Sequence, residues 1–214
     1  LAGAINPETG WGLVGESWHA MTALERYGGL TWFRLGDKDL ATHLYRTHRL
    51  REGATLSTIT AEITRGWDLG LRMIPVTDDP LSTVVTLAEG GTVSFQDYFV
   101  RLQHGVPITG VAFAGTEEAR PAPGVIEAIA DATTVVIAPS NPIVSIGPLL
   151  AVRGVRDAIA ARRDRTVAVS PIIGGAALKG PADRMLRELG HDVSVVGVAR
   201  LYAELAAVLV IDEV

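Results

Sequence analysis

Thr133-Thr134-Val135-Val136-Ile137 runs straight into Ala138-Pro139-Ser140-Asn141-Pro142-Ile143-Val144-Ser145-Ile146-Gly147-Pro148. Thr166-Val167-Ala168-Val169 runs in the same way into Ser170-Pro171-Ile172-Ile173-Gly174-Gly175-Ala176-Ala177-Leu178-Lys179-Gly180-Pro181. Each begins as a short β-branched strand, continues as a Gly/Pro/Ser loop and leads into a helical stretch. Two such units in succession predict parallel strands joined by right-handed crossovers. In an open parallel sheet, ligands bind outside the carboxyl ends of the strands. Loops rich in Ser, Asn and Gly at that edge suit a phosphate-bearing ligand, held by backbone N–H groups and hydroxyls. Ser140, Asn141, Gly174, Gly175 and Lys179 are therefore candidate nucleotide and phosphate contacts. Plainer roles compete: a helix cap or Asx turn for Ser140 and Asn141, a solvated first-turn cation for Lys179. No Gly-Lys-Ser/Thr occurs, so this is not a Walker A loop.

Outward from these loops the pattern stays regular. Helices are predicted over 123–132, 155–162, 182–189 and 199–205, with strands over 193–196 and 207–211. This is an α/β fold: a Rossmann-like, mostly parallel sheet with helices on both faces and an α+β insertion. The middle third changes character. A strand over 71–76 precedes the turn Thr77-Asp78-Asp79-Pro80. Strands over 83–87 and 92–95 flank Glu89-Gly90-Gly91 as a hairpin, and another strand covers 106–113. Toward the start, Trp18, Met21 and Leu24 recur at helical spacing over 14–27. A strand over 31–35 follows, then a helix to about 51 with Asp37 as its N-cap, and a short helix over 58–65 capped by Ser57. Residues 1–214 read as one α/β domain, a piece incomplete at both ends, with 38–120 carrying the helical and hairpin insertion.

Composition narrows the function. The net charge of -5 argues against a nucleic-acid partner. The chain has no cysteine, which excludes disulfides, thiolate metal sites and a cysteine nucleophile. It also suits a reducing cytoplasm. No apolar run reaches the roughly 18 residues of a membrane span. The longest, 193–211, is broken by Arg200 and Glu204. The expectation is a cytoplasmic protein with no membrane partner, and a mean hydropathy of +0.27 leaves room for a homodimer face. The nearest histidines, His43 and His48, are spaced off a common helix face, so no zinc site is read.

Gly10-Trp11-Gly12-Leu13-Val14-Gly15 matches a dinucleotide fingerprint, with Asp37 at the right distance for the acidic partner. However, Asn6-Pro7-Glu8-Thr9 stands where a strand should feed the motif, and Trp11 puts a ring where a pyrophosphate must approach the backbone.

The same residues carry a stronger likeness. Asn6-Pro7-Glu8-Thr9-Gly10-Trp11-Gly12-Leu13, Gly15-Glu16-Ser17-Trp18, and Trp32-Phe33-Arg34-Leu35-Gly36-Asp37-Lys38-Asp39-Leu40-Ala41 resemble the 2-phospho-L-lactate transferase family. So do Asp78-Asp79-Pro80, Gln96-Asp97-Tyr98-Phe99-Val100-Arg101, Arg120-Pro121-Ala122-Pro123-Gly124-Val125 and both opening loops. The likeness runs in order through nearly the whole chain. It implies a transferase of deazaflavin coenzyme F-420 biosynthesis. Such an enzyme moves a 2-phospholactyl or phosphoenolpyruvyl group from a guanosine diphosphate-linked donor to 7,8-didemethyl-8-hydroxy-5-deazariboflavin. GMP leaves and Mg²⁺ assists. The family's acidic catalytic residues are expected before Leu1, outside this chain, so no catalytic residue is assigned here.

Within that resemblance, Arg34, Trp11 and Trp18 are the candidate acceptor contacts. An alternating strand would present Arg34 opposite Phe33 and Leu35, and flat rings stack well on a tricycle. Packing in a core is the plainer role for both tryptophans. Asp78 and Asp79 are weak candidates for Mg²⁺, since Asp-Asp-Pro is also good turn chemistry. A nucleotide-binding regulator with the same phosphate loops and a nicotinamide oxidoreductase are the competing readings.

Overall fold

The computed structural model describes residues 3–8, 12–28, 32–177 and 180–212. Its contacts divide the chain into two compact units, Leu1–Pro75 and Val76–Val214.

The first unit is helical. It contains α1 (His19–Glu25), α2 (Asp37–Arg51) and α3 (Leu56–Gly66). Thr55, not Ser57, caps α3: its Oγ1 accepts from the Thr58 N–H at 3.3 Å. Between α2 and α3, Glu62 accepts from Arg49 at 2.8 and 3.1 Å and from the Tyr45 hydroxyl at 2.8 Å. Arg49 is the main reason the Glu62 carboxyl is held down at about 2. Few apolar side chains are fully buried here; Met21 and Ile59 are the fully buried ones among the described residues.

The second unit opens with an antiparallel sheet. It is made of β1 (Ser82–Leu87), β2 (Thr92–Ser94) and β3 (Ile108–Ala114) in the order β2-β1-β3. The predicted hairpin is present, with Val85 opposite Val93. After α4 (Val125–Asp131) come β4 (Val135–Ile137), α5 (Gly147–Ala151), α6 (Val155–Ala160) and β5 (Thr166–Val169). Next are the two-stranded hairpin β6 (Ile172–Ile173) and β7 (Ala176–Ala177), then α7 (Ala182–Glu188), α8 (Val195–Tyr202) and β8 (Val208–Val210). Strands β4, β5 and β8 pair in parallel, in that order, as expected for an α/β fold. Ile137 and Ala168 are buried on one side of this sheet, whereas Val136 and Val208 on alternate positions are half exposed. Val85, Tyr98, Ile108 and Met185 form a core cluster that fixes the antiparallel sheet to α7.

Several predicted elements fall elsewhere. Residues 32–35 and 71–76 form no strand, and Thr31 lies outside the described residues. The strand expected at 193–196 is the start of α8. Ser194 accepts from the Gly197 N–H at 3.1 Å, and that cap turns the apolar run into a helix. The helix expected from residue 14 begins at His19, for a reason that lies in the next helix.

Candidate functional site

A cavity of about 510 Å³ opens beyond the carboxyl ends of β4 and β5. Pro139, Ser140 and Asn141 line it from the loop after β4; Pro171, Ile173 and Ala177 line it from the segment after β5. This is the edge where an α/β sheet places its ligands. Two π-helical turns border the cavity: Asp97–Arg101 supplies Phe99, and Pro142–Ile146 supplies Val144 and Ser145. Such turns are rare and gather at functional sites.

The side chains differ in what they have left to offer. Asn141 Oδ1 accepts from the N–H groups of Ile143 at 2.8 Å and Val144 at 3.3 Å, so this oxygen starts the π-helical turn. Its Nδ2 faces Met185 Sδ at 3.6 Å. The Ser140 hydroxyl has no partner among the described residues and borders the cavity. Gly174 and Gly175 form the tip of the β6–β7 hairpin, with φ of 57° and 82°. Two positive φ angles in succession are what a two-residue hairpin turn demands, and glycine adopts them without a Cβ penalty. The Gly174 N–H donates to Asp212 Oδ2 at 2.6 Å. A carboxylate thus takes up the Gly174 N–H. Neither glycine is among the residues lining the cavity. Lys179 lies outside the described residues.

Sequence reasoning missed the aromatic wall. Phe95 and Phe99 stack at 5.5 Å, and His104 covers Phe99 from 5.4 Å. Both phenylalanines line the cavity. Their four-residue spacing was the available signal, and it was hidden by reading 92–95 as the end of a strand.

In the first unit, Arg34 and Trp18 come together. The Arg34 guanidinium stands 5.5 Å from the Trp18 ring centroid, within cation–π range. Arg34 NH1 also donates to Glu25 Oε1 at 2.9 Å. Trp18 is 42% exposed, so core packing does not account for it. Trp11 lies outside the described residues.

Two carboxylates build this arrangement. Asp37 does not cap its own helix; Gly36 occupies that position. Asp37 instead accepts from the Ser17 hydroxyl at 2.6 Å and from the N–H groups of His19 and Ala20 at 3.1 Å, at the start of α1. Glu16 Oε1 returns the contact, accepting from Lys38 N–H at the start of α2 and from Ser17 N–H, both at 3.0 Å. Each helix is capped by the residue leading into the other. The Ser17 hydroxyl chiefly lowers the Asp37 carboxyl, and the Lys38 N–H chiefly lowers that of Glu16. A Cβ on Gly36 would meet the Glu16 side chain, so a larger residue there must displace the returning carboxylate. This use of Asp37 leaves it no role at a ribose. Ile5 and Leu13 pair as an isolated bridge before Gly15, so no strand feeds the glycine motif among the described residues.

Asp79 braces a turn: its N–H donates to Thr77 Oγ1 at 3.0 Å and its Oδ2 accepts from Arg120 N–H at 2.9 Å. Among the described residues no three carboxylates, histidines or cysteines gather as a metal site. No described helix is long and apolar enough to cross a membrane.

The chain is similar to known proteins of one family. The family model described as 2-phospho-L-lactate transferase CofD matches residues 4–214. A protein of Streptomyces coelicolor named phosphoenolpyruvate transferase is 45% identical over 94% of this chain and 65% of its own length. One of the same name from Nocardia farcinica is 42% identical over 99% of this chain and 66% of its own length. The chain therefore spans somewhat under two thirds of these relatives. A crystal structure of a UPF0052 family member from Bacillus halodurans matches 85% of this chain and 55% of that one, at a TM-score of 0.59 and 15% identity. At that identity the likeness concerns the fold.

Proposed function

This chain belongs to the 2-phospho-L-lactate transferase family, and we propose that the whole protein transfers a phosphoenolpyruvyl or 2-phospholactyl group in coenzyme F-420 biosynthesis. The donor is guanosine diphosphate-linked and the acceptor is the deazariboflavin alcohol. The names of the relatives favour the enolpyruvyl donor. The observation that carries the reading is the family match over 4–214, joined to a cavity of about 510 Å³ at the strand ends.

The acceptor's primary alcohol attacks the phosphorus that bears the enolpyruvyl or lactyl oxygen. The bond from that phosphorus to the bridging oxygen breaks, GMP leaves with the bonding pair, and the alcohol loses its proton. Such transfers depend on alignment and on neutralising charge on the phosphoryl oxygens. In this proposal the Ser140 hydroxyl donates to the nucleotide in the cavity. Asn141 acts indirectly, by fixing the turn that carries Val144 and Ser145. Gly174 and Gly175 receive a phosphate oxygen in place of the Asp212 carboxylate, and Lys179 supplies charge. Arg34 and Trp18, with Trp11, hold the deazaflavin ring. Mg²⁺ would neutralise charge on the diphosphate, with Asp78 and Asp79 as its candidate contacts. A cytoplasmic location and a homodimer complete the proposal.

The test uses the full-length protein with the deazariboflavin alcohol, Mg²⁺ and each donor in separate tubes, read by mass spectrometry. Phospho-linked product together with GMP supports the proposal and identifies the donor. Absence of product with both donors, in a folded protein that still binds GDP, overturns the transferase and favours a nucleotide-binding regulator. Arg34→Ala should raise the acceptor KM at least tenfold, equivalent to about 1.4 kcal/mol, with GDP affinity unchanged. Equal loss of both would remove Arg34 from the acceptor site.

A further inference from the structure

A second cavity, of about 440 Å³, lies within the same unit on the other side of the π-helical turn Pro142–Ile146. Pro142, Ile143 and Gly147 face it, while Asn141, Val144 and Ser145 face the first cavity. Its volume falls in the range of small-molecule sites. Its walls are largely apolar, with Val111 and Phe113 from β3, Leu189 from the end of α7 and Leu201 from α8. Two basic side chains stand in this lining, Arg156 from α6 and His191 after α7, and both residues are exposed. Neither side chain has a hydrogen bond or ion pair among the described residues. Beside His191, Asp192 is engaged by Arg200 at 3.2 Å, and beside Arg156 in sequence stands Asp157. Tyr202 also lines the cavity, but its hydroxyl is sealed from solvent and lies out of reach of an occupant.

An apolar chamber with an unpaired guanidinium and an unpaired imidazole in its lining is complementary to one kind of molecule. We infer that this cavity binds a small amphipathic anion, its apolar body among Phe113, Leu189 and Leu201 and its acidic head at Arg156 and His191. The site is distinct from the cavity at the strand ends and does not depend on the transferase reading. The acidic head is a carboxylate or a phosphate monoester; both accept from a guanidinium.

The experiment is calorimetric titration of the full-length protein with 4-phenylbutyrate, phenyl phosphate, 4-phenylbutanamide and acetate. Saturable binding of 4-phenylbutyrate or phenyl phosphate, with a dissociation constant on the order of 10⁻⁴ M, is expected. The stronger of the two identifies the head group. The neutral amide and the bodiless acetate should bind at least tenfold more weakly. Arg156→Gln and His191→Gln change exposed side chains, so the fold is retained, and each should weaken the anion at least tenfold. Absence of saturable binding by both aromatic anions, equal binding of the amide or of acetate, or indifference to both substitutions would overturn the inference.

Discussion

In the first unit the helix ends are closed by carboxylates borrowed across the chain, Glu16 for α2 and Asp37 for α1, and α2 is clasped to α3 by Glu62 and Arg49. In the second, Val85, Tyr98, Ile108 and Met185 are sealed from solvent, and the parallel strands pair beside buried Ile137 and Ala168. One unit is organised by short charged contacts near water, the other by apolar burial. The contrast separates two ways of presenting a ligand site. Polar caps join the starts of α1 and α2 in the unit where Trp18 meets Arg34. A buried core leaves a cavity where the packing stops. Charge pairs in water are screened and individually weak, whereas a core methylene is felt directly.

The composition supplies a reporter for this contrast. All four tryptophans, Trp11, Trp18, Trp32 and Trp67, fall in the first unit. Tryptophan fluorescence therefore follows that unit, and far-UV circular dichroism follows both. The largest effect is expected from Met185→Ala, which empties a fully buried position and should cost about 2–5 kcal/mol. The dichroism midpoint in urea should fall further than the tryptophan midpoint. If both fall equally, the units unfold as one and the contrast fails as a statement about stability.

A smaller effect is expected from Gly36→Ala. The new methyl group meets the Glu16 carboxylate, and overpacking of this kind costs about 1–3 kcal/mol. The tryptophan midpoint should carry the loss. In a Glu16→Ala background the same substitution should cost much less, because the obstructing carboxylate is gone. A penalty unchanged by Glu16→Ala would show that Gly36 serves the backbone and not the reciprocal cap.

Sequence periodicity made the second unit more legible than the first, and the reason is physical. β4, β5, β8 and the β1–β2 hairpin are written in β-branched runs bounded by turn residues, a local signal. The loops at the strand ends followed from topology, and Ser140 and Asn141 do line the cavity found there. Asp37 was read as the N-cap of its own helix; it caps α1 instead, 18 residues earlier, and nothing local records that. The strand expected over 31–35 set Arg34 in alternation with Phe33 and Leu35. Trp32 and Phe33 instead pack edge to face at 5.8 Å, a pairing that alternation cannot signal. Ser194 overturned the strand at 193–196 because a single side-chain cap outweighs a short apolar run. The aromatic pair Phe95 and Phe99 escaped notice because a π-helical turn starts where a strand was expected to end.

The smallest effect is also the one that isolates the charged clasp. The Glu62 carboxyl is held at about 2 in the folded protein, against an ordinary value of 4.5, first by hydrogen bonds from Arg49 and then by the Tyr45 hydroxyl. A depressed carboxyl contributes stability that is fully present above its ordinary value and is lost as pH falls toward the folded value. Glu16 and Asp37, both lowered, act in the same direction. The urea midpoint read by tryptophan fluorescence should therefore be flat from pH 7 to about 5 and decline as pH falls from about 4.5 toward 2. Glu62→Gln should lower the neutral plateau slightly and flatten the acid decline, because the glutamine has no proton to take up. Sodium chloride at about 1 M should shrink the difference between the two proteins at neutral pH, since these side chains are solvent-accessible and screened. Identical acid profiles for the two proteins would mean that the clasp is geometry without consequence. The reciprocal caps of Glu16 and Asp37 would then be what holds the first unit against acid.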